Sequence, residues 1–217
     1  MNNNENNHQE ATTPIVNAPH NIHCLNIIGQ IEGHNILPQN SKATKYEDVL
    51  PKLINIEENK DIEGLLILLN TVGGDVEAGL AIAELISSMS KPTVSIVLGG
   101  GHSIGVPLAV SSKKSFIVPS ATMTIHPIRT NGIVIGAIQT YEYFNKVQDR
   151  VVSFVEKNSK ISKENFLSLM LATGIIANDV GTILFGEETV KCGLIDSVGG
   201  ISDALSTLYD MIENKHT

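Results

Sequence analysis

The run Gly99-Gly100-Gly101-His102-Ser103-Ile104-Gly105, directly after the apolar stretch Pro92 to Leu98, constrains this chain more than any other segment. Consecutive glycines suit neither a helix interior nor a strand interior, so the chain has to turn there. A serine between glycines after a β-like run has two readings. Its hydroxyl caps the helix that follows, or it projects into a cleft as a nucleophile. A serine Oγ is a weak nucleophile by itself, so the second reading requires a base, a group that orients the base, and donors for an oxyanion. His126, on the apolar run Thr122-Met123-Thr124-Ile125-His126-Pro127, offers an imidazole, and Asp179 offers a carboxylate. The stretch Leu65 to Leu69 ends in Asn70-Thr71-Val72-Gly73-Gly74-Asp75, a strand-to-turn signal where backbone N–H groups can face an oxygen. Taken singly, each has an ordinary explanation: a histidine at a strand end, a loop acid, a tight glycine turn.

The order of elements predicts an α/β fold with largely parallel strands. Cys24-Leu25-Asn26-Ile27-Ile28 reads as a strand, and Ile31 to Gln39, with Gly33 and Pro38, as turn and loop. Lys45 to Glu57 places Val49, Leu53 and Ile56 at helical spacing. Strand Gly64 to Leu69, helix Asp75 to Met89, strand Thr93 to Leu98 and helix Ser103 to Ser111 then alternate, with Asp75 at a helix start that favours a carboxylate. Lys114 to Val118 and the run carrying His126 are further strands. Gly136 to Asn158 is the long helical candidate. Its Phe144, Val147, Val151, Phe154 and Val155 recur at helical spacing, more apolar surface than a lone helix exposes, which implies burial against a second subunit. Ser162-Lys163-Glu164-Asn165 opens another helix to Ala172, and Leu194 to Ser197 and Ser202 to Glu213 form the last strand and helix.

No Pro- or Ser-rich linker interrupts the 217 residues between Ile22 and Asp210, so 22–213 reads as one domain and 214–217 as a tail. Residues 1–21 form an Asn-rich polar arm that buries too little apolar surface to offset the entropy of ordering, and disorder is expected there. With 42% apolar residues and no Trp, the core has to be aliphatic. Fifteen Lys and Arg against 23 Asp and Glu give a charge of -8, which argues against nucleic acid or an anionic membrane as a partner. Cys24 and Cys192 have neither CxxC nor Cys/His ligand spacing, so no metal is indicated. Met1 to Ala11 lacks the basic and apolar regions of a secretory signal, and no apolar stretch approaches the roughly 20 residues that span a bilayer. A cytoplasmic location without a membrane anchor is expected.

Together the four segments, in this order, resemble the Clp peptidase family of serine proteases, the ClpP proteolytic subunit and its relatives. The likeness is specific because His102-Ser103-Ile104-Gly105 is flanked by Gly73-Gly74 upstream and Ile125-His126-Pro127 downstream. Glu188-Thr189-Val190-Lys191-Cys192-Gly193-Leu194-Ile195-Asp196 is similar to the helix-turn-strand segment that closes the family's core. The resemblance spans residues 60 to 200 and implies the crotonase-like ββα superhelix, with the Gly136 to Asn158 helix as a handle projecting between subunits. It implies Ser103 as nucleophile, His126 as general base, and the N–H groups of Gly73 and Ile104 as oxyanion donors. Gly74, Arg129, Thr130, Asn131 and Gly132 fall on segments that bind an extended peptide in the family. Counting back from Gly193-Leu194-Ile195-Asp196, the family's acid falls at Gly181; an insertion in the turn makes Asp179, two residues earlier, the expected third member, and the alternative is that Asp179 is a loop acid or cap while a carbonyl or Asn178 holds His126. His102, adjacent to the nucleophile, is expected to be structural or to line the pocket.

Within the family the chain is most similar to the translocation-enhancing protein (TepA) branch, which is associated with protein translocation and spore protein turnover. The resemblance implies a peptide or unfolded-protein substrate, a homo-oligomeric ring and no cofactor. The N-terminal segments that dock an ATP-dependent unfoldase in the family are unrecognisable here. Two other classes remain open: a catalytically weak ring scaffold, supported by the displaced acid, and a crotonase-type acyl-CoA hydratase or isomerase, which shares the fold and uses paired N–H groups without a serine.

Overall fold

A computed structural model describes residues 18–129, 135–174 and 179–215. The Asn-rich arm up to residue 17 and the expected peptide-binding residues Thr130, Asn131 and Gly132 lie outside the described residues. The elements run in the order β1 (Ile22–Glu32), β2 (Ala43–Lys45), α1 (Tyr46–Glu58), β3 (Gly64–Gly74), α2 (Val76–Ser88), β4 (Thr93–Gly101) and α3 (Gly105–Val110). They continue as β5 (Lys114–Ile117), β6 (Thr122–Ile125), α4 (Ala137–Asn158), α5 (Lys163–Met170), β7 (Thr182–Phe185), α6 (Gly186–Lys191), β8 (Ser197–Val198) and α7 (Ile201–Lys215).

The strands β2-β1-β3-β4-β5-β8 lie side by side and every pair is parallel. This is the expected α/β class. In β3, Leu65, Ile67 and Leu69 join a core shared with α1, α2 and α3, whereas Leu66 joins Val94, Ile96 and the α7 residues Ala204, Leu208 and Ile212 on the other face. A strand covered on both faces reads as an unbroken apolar run rather than an alternation. Each of these aliphatic side chains contributes about 1.5–3 kcal/mol on burial. Helix starts follow local chemistry: the Asp75 carboxylate accepts the Ala78 N–H at 2.8 Å, and the Ser162 hydroxyl accepts that of Asn165 at 3.2 Å.

β4 serves two layers. Its first half pairs with β5, from Val94 opposite Lys114 to Val97 opposite Ile117, while Gly100 pairs with Thr122 of β6. β6 in turn pairs antiparallel with β7, Ile125 facing Thr182. The glycines allow this transfer. A Cβ at Gly99 would lie 2.6 Å from the Asn70 side-chain oxygen, and one at Gly100 would lie 2.5 Å from the His102 ring. The segment therefore extends as strand through Gly101, beyond the turn expected at Gly99.

The long helix departs from expectation in what it buries. Val147, Val151, Phe154 and Val155 are buried within this chain, packed against its own core for the most part. The exposed apolar residues of α4 are instead Ile138, Tyr141 and Tyr143, in its first half. The expected strand from Leu194 is also shorter: Leu194 and Ile195 both donate their N–H to the Thr189 carbonyl in a buried turn, and only Ser197 and Val198 pair with β5.

Candidate active site

Ser103 is the sole described non-glycine residue with a left-handed backbone, at φ 57. For a residue with a side chain this conformation is strained, and the surroundings have to enforce it. They do so by pinning both sides of the elbow. The His102 N–H donates to the Thr71 carbonyl of β3 at 3.1 Å, and the Ser103 N–H donates to the Thr124 carbonyl of β6 at 2.8 Å. The helix α3 begins only at Gly105 and its N-cap position is Ile104, so Ser103 stands before the helix rather than capping it.

The turn spends its backbone donors unevenly. Gly105 N–H donates to the His102 carbonyl at 2.8 Å and Val106 N–H to the Ser103 carbonyl at 3.0 Å. Ile104, only 2% exposed, is left as the residue of this turn whose N–H has no hydrogen-bond acceptor among the described residues. Ile104 lines the same cavity as Ser103, where an N–H without a partner can donate to a substrate oxygen. Gly73 approaches the same hydroxyl from β3: a Cβ there would lie 2.7 Å from the Ser103 Cβ and 3.3 Å from its Oγ. In this structure the Gly73 N–H is already engaged, donating to the Thr71 hydroxyl at 3.0 Å, while that hydroxyl donates to the Gly29 carbonyl at 2.6 Å.

Ser103, Ile104, Gly74, His126 and Arg129 all line one cavity of about 130 Å³. Its apolar wall comes from Val76, Val106, Ile125, Val151, Phe166 and Met170. His126 follows the last residue of β6, and its Nδ1 lies 2.7 Å from the carbonyl oxygen of Pro127. His102 is turned elsewhere, its Nδ1 2.9 Å from the Thr124 hydroxyl. Burial, and then the neighbouring His126, lower the pKa of its imidazole from the ordinary histidine value.

The expected contact between Asp179 and His126 is not the arrangement in this structure. The Asp179 carboxylate lies 2.7 Å from the Arg129 guanidinium and accepts the Val180 N–H at 2.8 Å. Gly181, the position that the resemblance gives to the acid, faces His126 directly: a Cβ there would lie 2.9 Å from the His126 Cβ. Sequence reasoning passed over Thr71, which had a residue-type signal, a hydroxyl beside Gly73-Gly74. Of its alternatives for His126, a carbonyl or Asn178, the structure has the carbonyl of Pro127, which as backbone carries no residue-type signal.

Residues 20–214 match the family model for Clp protease. The chain belongs to the Clp protease family. It is 60% identical over 195 residues to the translocation-enhancing protein TepA of Halalkalibacterium halodurans, covering 90% of this chain and 76% of that protein. Against an ATP-dependent Clp protease proteolytic subunit of Streptococcus pneumoniae it is 31% identical over 158 residues, covering 69% of this chain and 76% of the other. The fold is that of a solved ClpP1 variant from Listeria monocytogenes, with a TM-score of 0.65 at 20% identity over 84% of this chain and 94% of that one. No helix among the described residues is long and apolar enough to cross a membrane. The described residues contain no cluster of His, Cys, Asp and Glu that could hold a metal ion.

Proposed function

We propose that this protein is a serine endopeptidase subunit that cleaves peptide bonds through an acyl-enzyme. The observation that carries the reading is the elbow: Ser103 at φ 57, on the same cavity as Ile104 and His126. Ser103 Oγ attacks the scissile carbonyl carbon while His126 Nε2 takes its proton. The carbonyl oxygen becomes an oxyanion facing the Ile104 N–H, and the Gly73 N–H joins it on leaving the Thr71 hydroxyl. His126 then returns the proton to the departing amine as the C–N bond breaks. Water, deprotonated by the same imidazole, releases the acyl group and restores Ser103. Ser103 and His126 share no hydrogen bond, and in this reading they meet as the peptide binds, since such catalytic contacts commonly tighten only then.

The substrate in this reading is an extended peptide or unfolded protein, and the working unit is a cytoplasmic homo-oligomeric ring linked to protein translocation or turnover. Family membership supports the ring, and the exposed Ile138 and Tyr141 of α4 supply apolar surface for it. An ATP-dependent unfoldase is a separate requirement that this reading leaves to measurement. The rival is a scaffold without catalysis, favoured by the carboxylate of Asp179 resting on Arg129.

A fluorophosphonate probe separates the two, because only an activated serine reacts rapidly with it. Stoichiometric labelling at Ser103, lost in Ser103→Ala and in His126→Ala, together with cleavage of unfolded casein, is the expected result. Absence of both labelling and cleavage in an intact assembly overturns the peptidase reading.

A further inference from the structure

Both strands of the β6–β7 ladder bear on what orients His126. Ile125 pairs with Thr182, so the next pair outward brings His126 opposite Gly181. At Gly181 a Cβ would meet the Ile125 carbonyl oxygen at 2.3 Å and the His126 Cβ at 2.9 Å, and φ is +134. Backbone rather than a flexible side chain blocks that space, so no carboxylate can be mounted there without moving the ladder. Asp179 lies beyond the end of the ladder, and both of its oxygens are engaged, one by Arg129 at 2.7 Å and one by the Val180 N–H at 2.8 Å. His126 Nδ1, meanwhile, already has an acceptor at 2.7 Å in the Pro127 carbonyl.

We propose that the Pro127 carbonyl, rather than a carboxylate, orients His126, and that Asp179 is a positioning residue that works with Arg129 to hold the rim of the substrate cavity. The proposal rests on the peptidase reading above. A carbonyl oxygen can only accept, so Nδ1 must carry the proton and Nε2 must present its lone pair. That is the tautomer a base needs to take the Ser103 proton. A carboxylate in this place does two things, fixing the tautomer and stabilising the imidazolium. The carbonyl retains the first and gives the second only through its dipole. Arg129 lies on the cavity with Pro127 and Ile128, and its pairing with Asp179 ties this rim to the turn that enters β7. With the two side chains 52% and 38% exposed, the pair adds little to global stability, and its effect is geometric.

The experiment uses full-length Asp179→Asn and Arg129→Gln proteins beside wild type. In histidine-¹⁵N-labelled protein, the His126 resonance, assigned by its loss in His126→Gln, should report the Nδ1–H tautomer in wild type and in Asp179→Asn alike. For peptide hydrolysis, both variants should lose about three- to tenfold in kcat/KM, carried by KM, and the apparent pKa of the kcat/KM profile should stay where it is in wild type. A carboxylate partner predicts the opposite: kcat falls by roughly 10⁴ in Asp179→Asn alone, the profile's pKa moves down, and the tautomer shifts to Nε2–H. Any of these three overturns the proposal, and Arg129→Gln gives the second test should Asp179→Asn fail to fold. If wild type neither labels with the fluorophosphonate nor cleaves peptide, the peptidase reading fails, while the tautomer in wild type and Asp179→Asn still decides which acceptor holds His126.

Discussion

A methyl group on Gly73 would stand 2.7 Å from the β-carbon of Ser103, so the proposed nucleophile occupies space that only a glycine leaves open. The same residue has φ +90, a conformation that side chains rarely adopt. Gly73→Ala should therefore displace the Ser103 side chain and move the Gly73 N–H away from the oxyanion. Loss of one such donor commonly costs about 10²–10³ in kcat. Steady-state hydrolysis of a fluorogenic peptide should show a fall of at least that size while circular dichroism remains that of wild type.

In the proposed function, the left-handed backbone at Ser103 sets catalysis against stability. Glycine takes φ 57 without the Cβ clash, whereas alanine keeps the clash and lacks the hydroxyl. Ser103→Gly should melt above Ser103→Ala, by about 1 kcal/mol in chemical unfolding, with neither variant labelling with the fluorophosphonate. Equal stability of the two would mean that the elbow stores no strain.

How much of this was legible in the sequence depended on whether a residue or the backbone carried the signal. Ser103 and His126 stood out because glycine spacing and an apolar run surround them. β3 was read as ending at Leu69 because Asn70 to Gly74 are turn formers, yet Thr71 pairs with Gly101, and Gly73 and Gly74 pair with β1. Partners distant in sequence satisfy that backbone, and no local propensity reveals them. The α4 stripe was read correctly as apolar and wrongly as a subunit contact, since periodicity marks a buried face without naming what buries it. Asp179 is an acid-bearing residue near the expected position, but its partner in the structure, Arg129, is remote in sequence, and although a carbonyl is an alternative holder of His126, nothing in residue type singles out that of Pro127.

The cavity beside Ser103 carries a size and polarity preference. Apolar residues, among them Val76, Val106, Val151, Phe166 and Met170, line most of a space of about 130 Å³, close to the size that admits a branched aliphatic group, and Arg129 is its cation. Peptides with Leu before the cleaved bond should exceed those with Gly by more than about tenfold in kcat/KM, and those with Lys by more still, since Arg129 already lines the cavity. Met170→Trp, which fills the floor, should erase the preference for Leu while preserving labelling by a small fluorophosphonate. A preference for Lys would mean that another surface receives the substrate.

Asp196 links acid stability to the turn after α6. Burial alone would raise its carboxyl, but the Lys160 ammonium at 2.9 Å and the Ser115 N–H at 3.1 Å outweigh that and hold it below the usual carboxylate range. A depressed carboxyl contributes stability that is present above its unfolded value, about pH 3.9, and is lost as pH falls through the folded one. Asp196→Asn should thus melt below wild type at neutral pH, and the two melting temperatures should converge as pH is lowered toward 3. A gap that stays constant across the series would assign the role of Asp196 to packing rather than charge.

Subunit contact should run through the first half of α4 and not through its buried stripe. Ile138 is 71% exposed and Tyr141 69%, whereas Val147 and Val151 are 6% and 7% exposed within this chain. A charge at an exposed position leaves the folded subunit intact and is costly only where a neighbour covers it. Ile138→Glu with Tyr141→Glu should shift the sedimenting particle to smaller species with an unchanged melting temperature of the dissociated subunit. Val147→Asp and Val151→Asp should instead unfold the subunit itself, since an unpaired carboxylate would enter its core. Sedimentation velocity and thermal melting of the two pairs separate these outcomes. An assembly that survives the Ile138 and Tyr141 changes, or a wild-type protein that sediments as a monomer, would exclude this face as the contact.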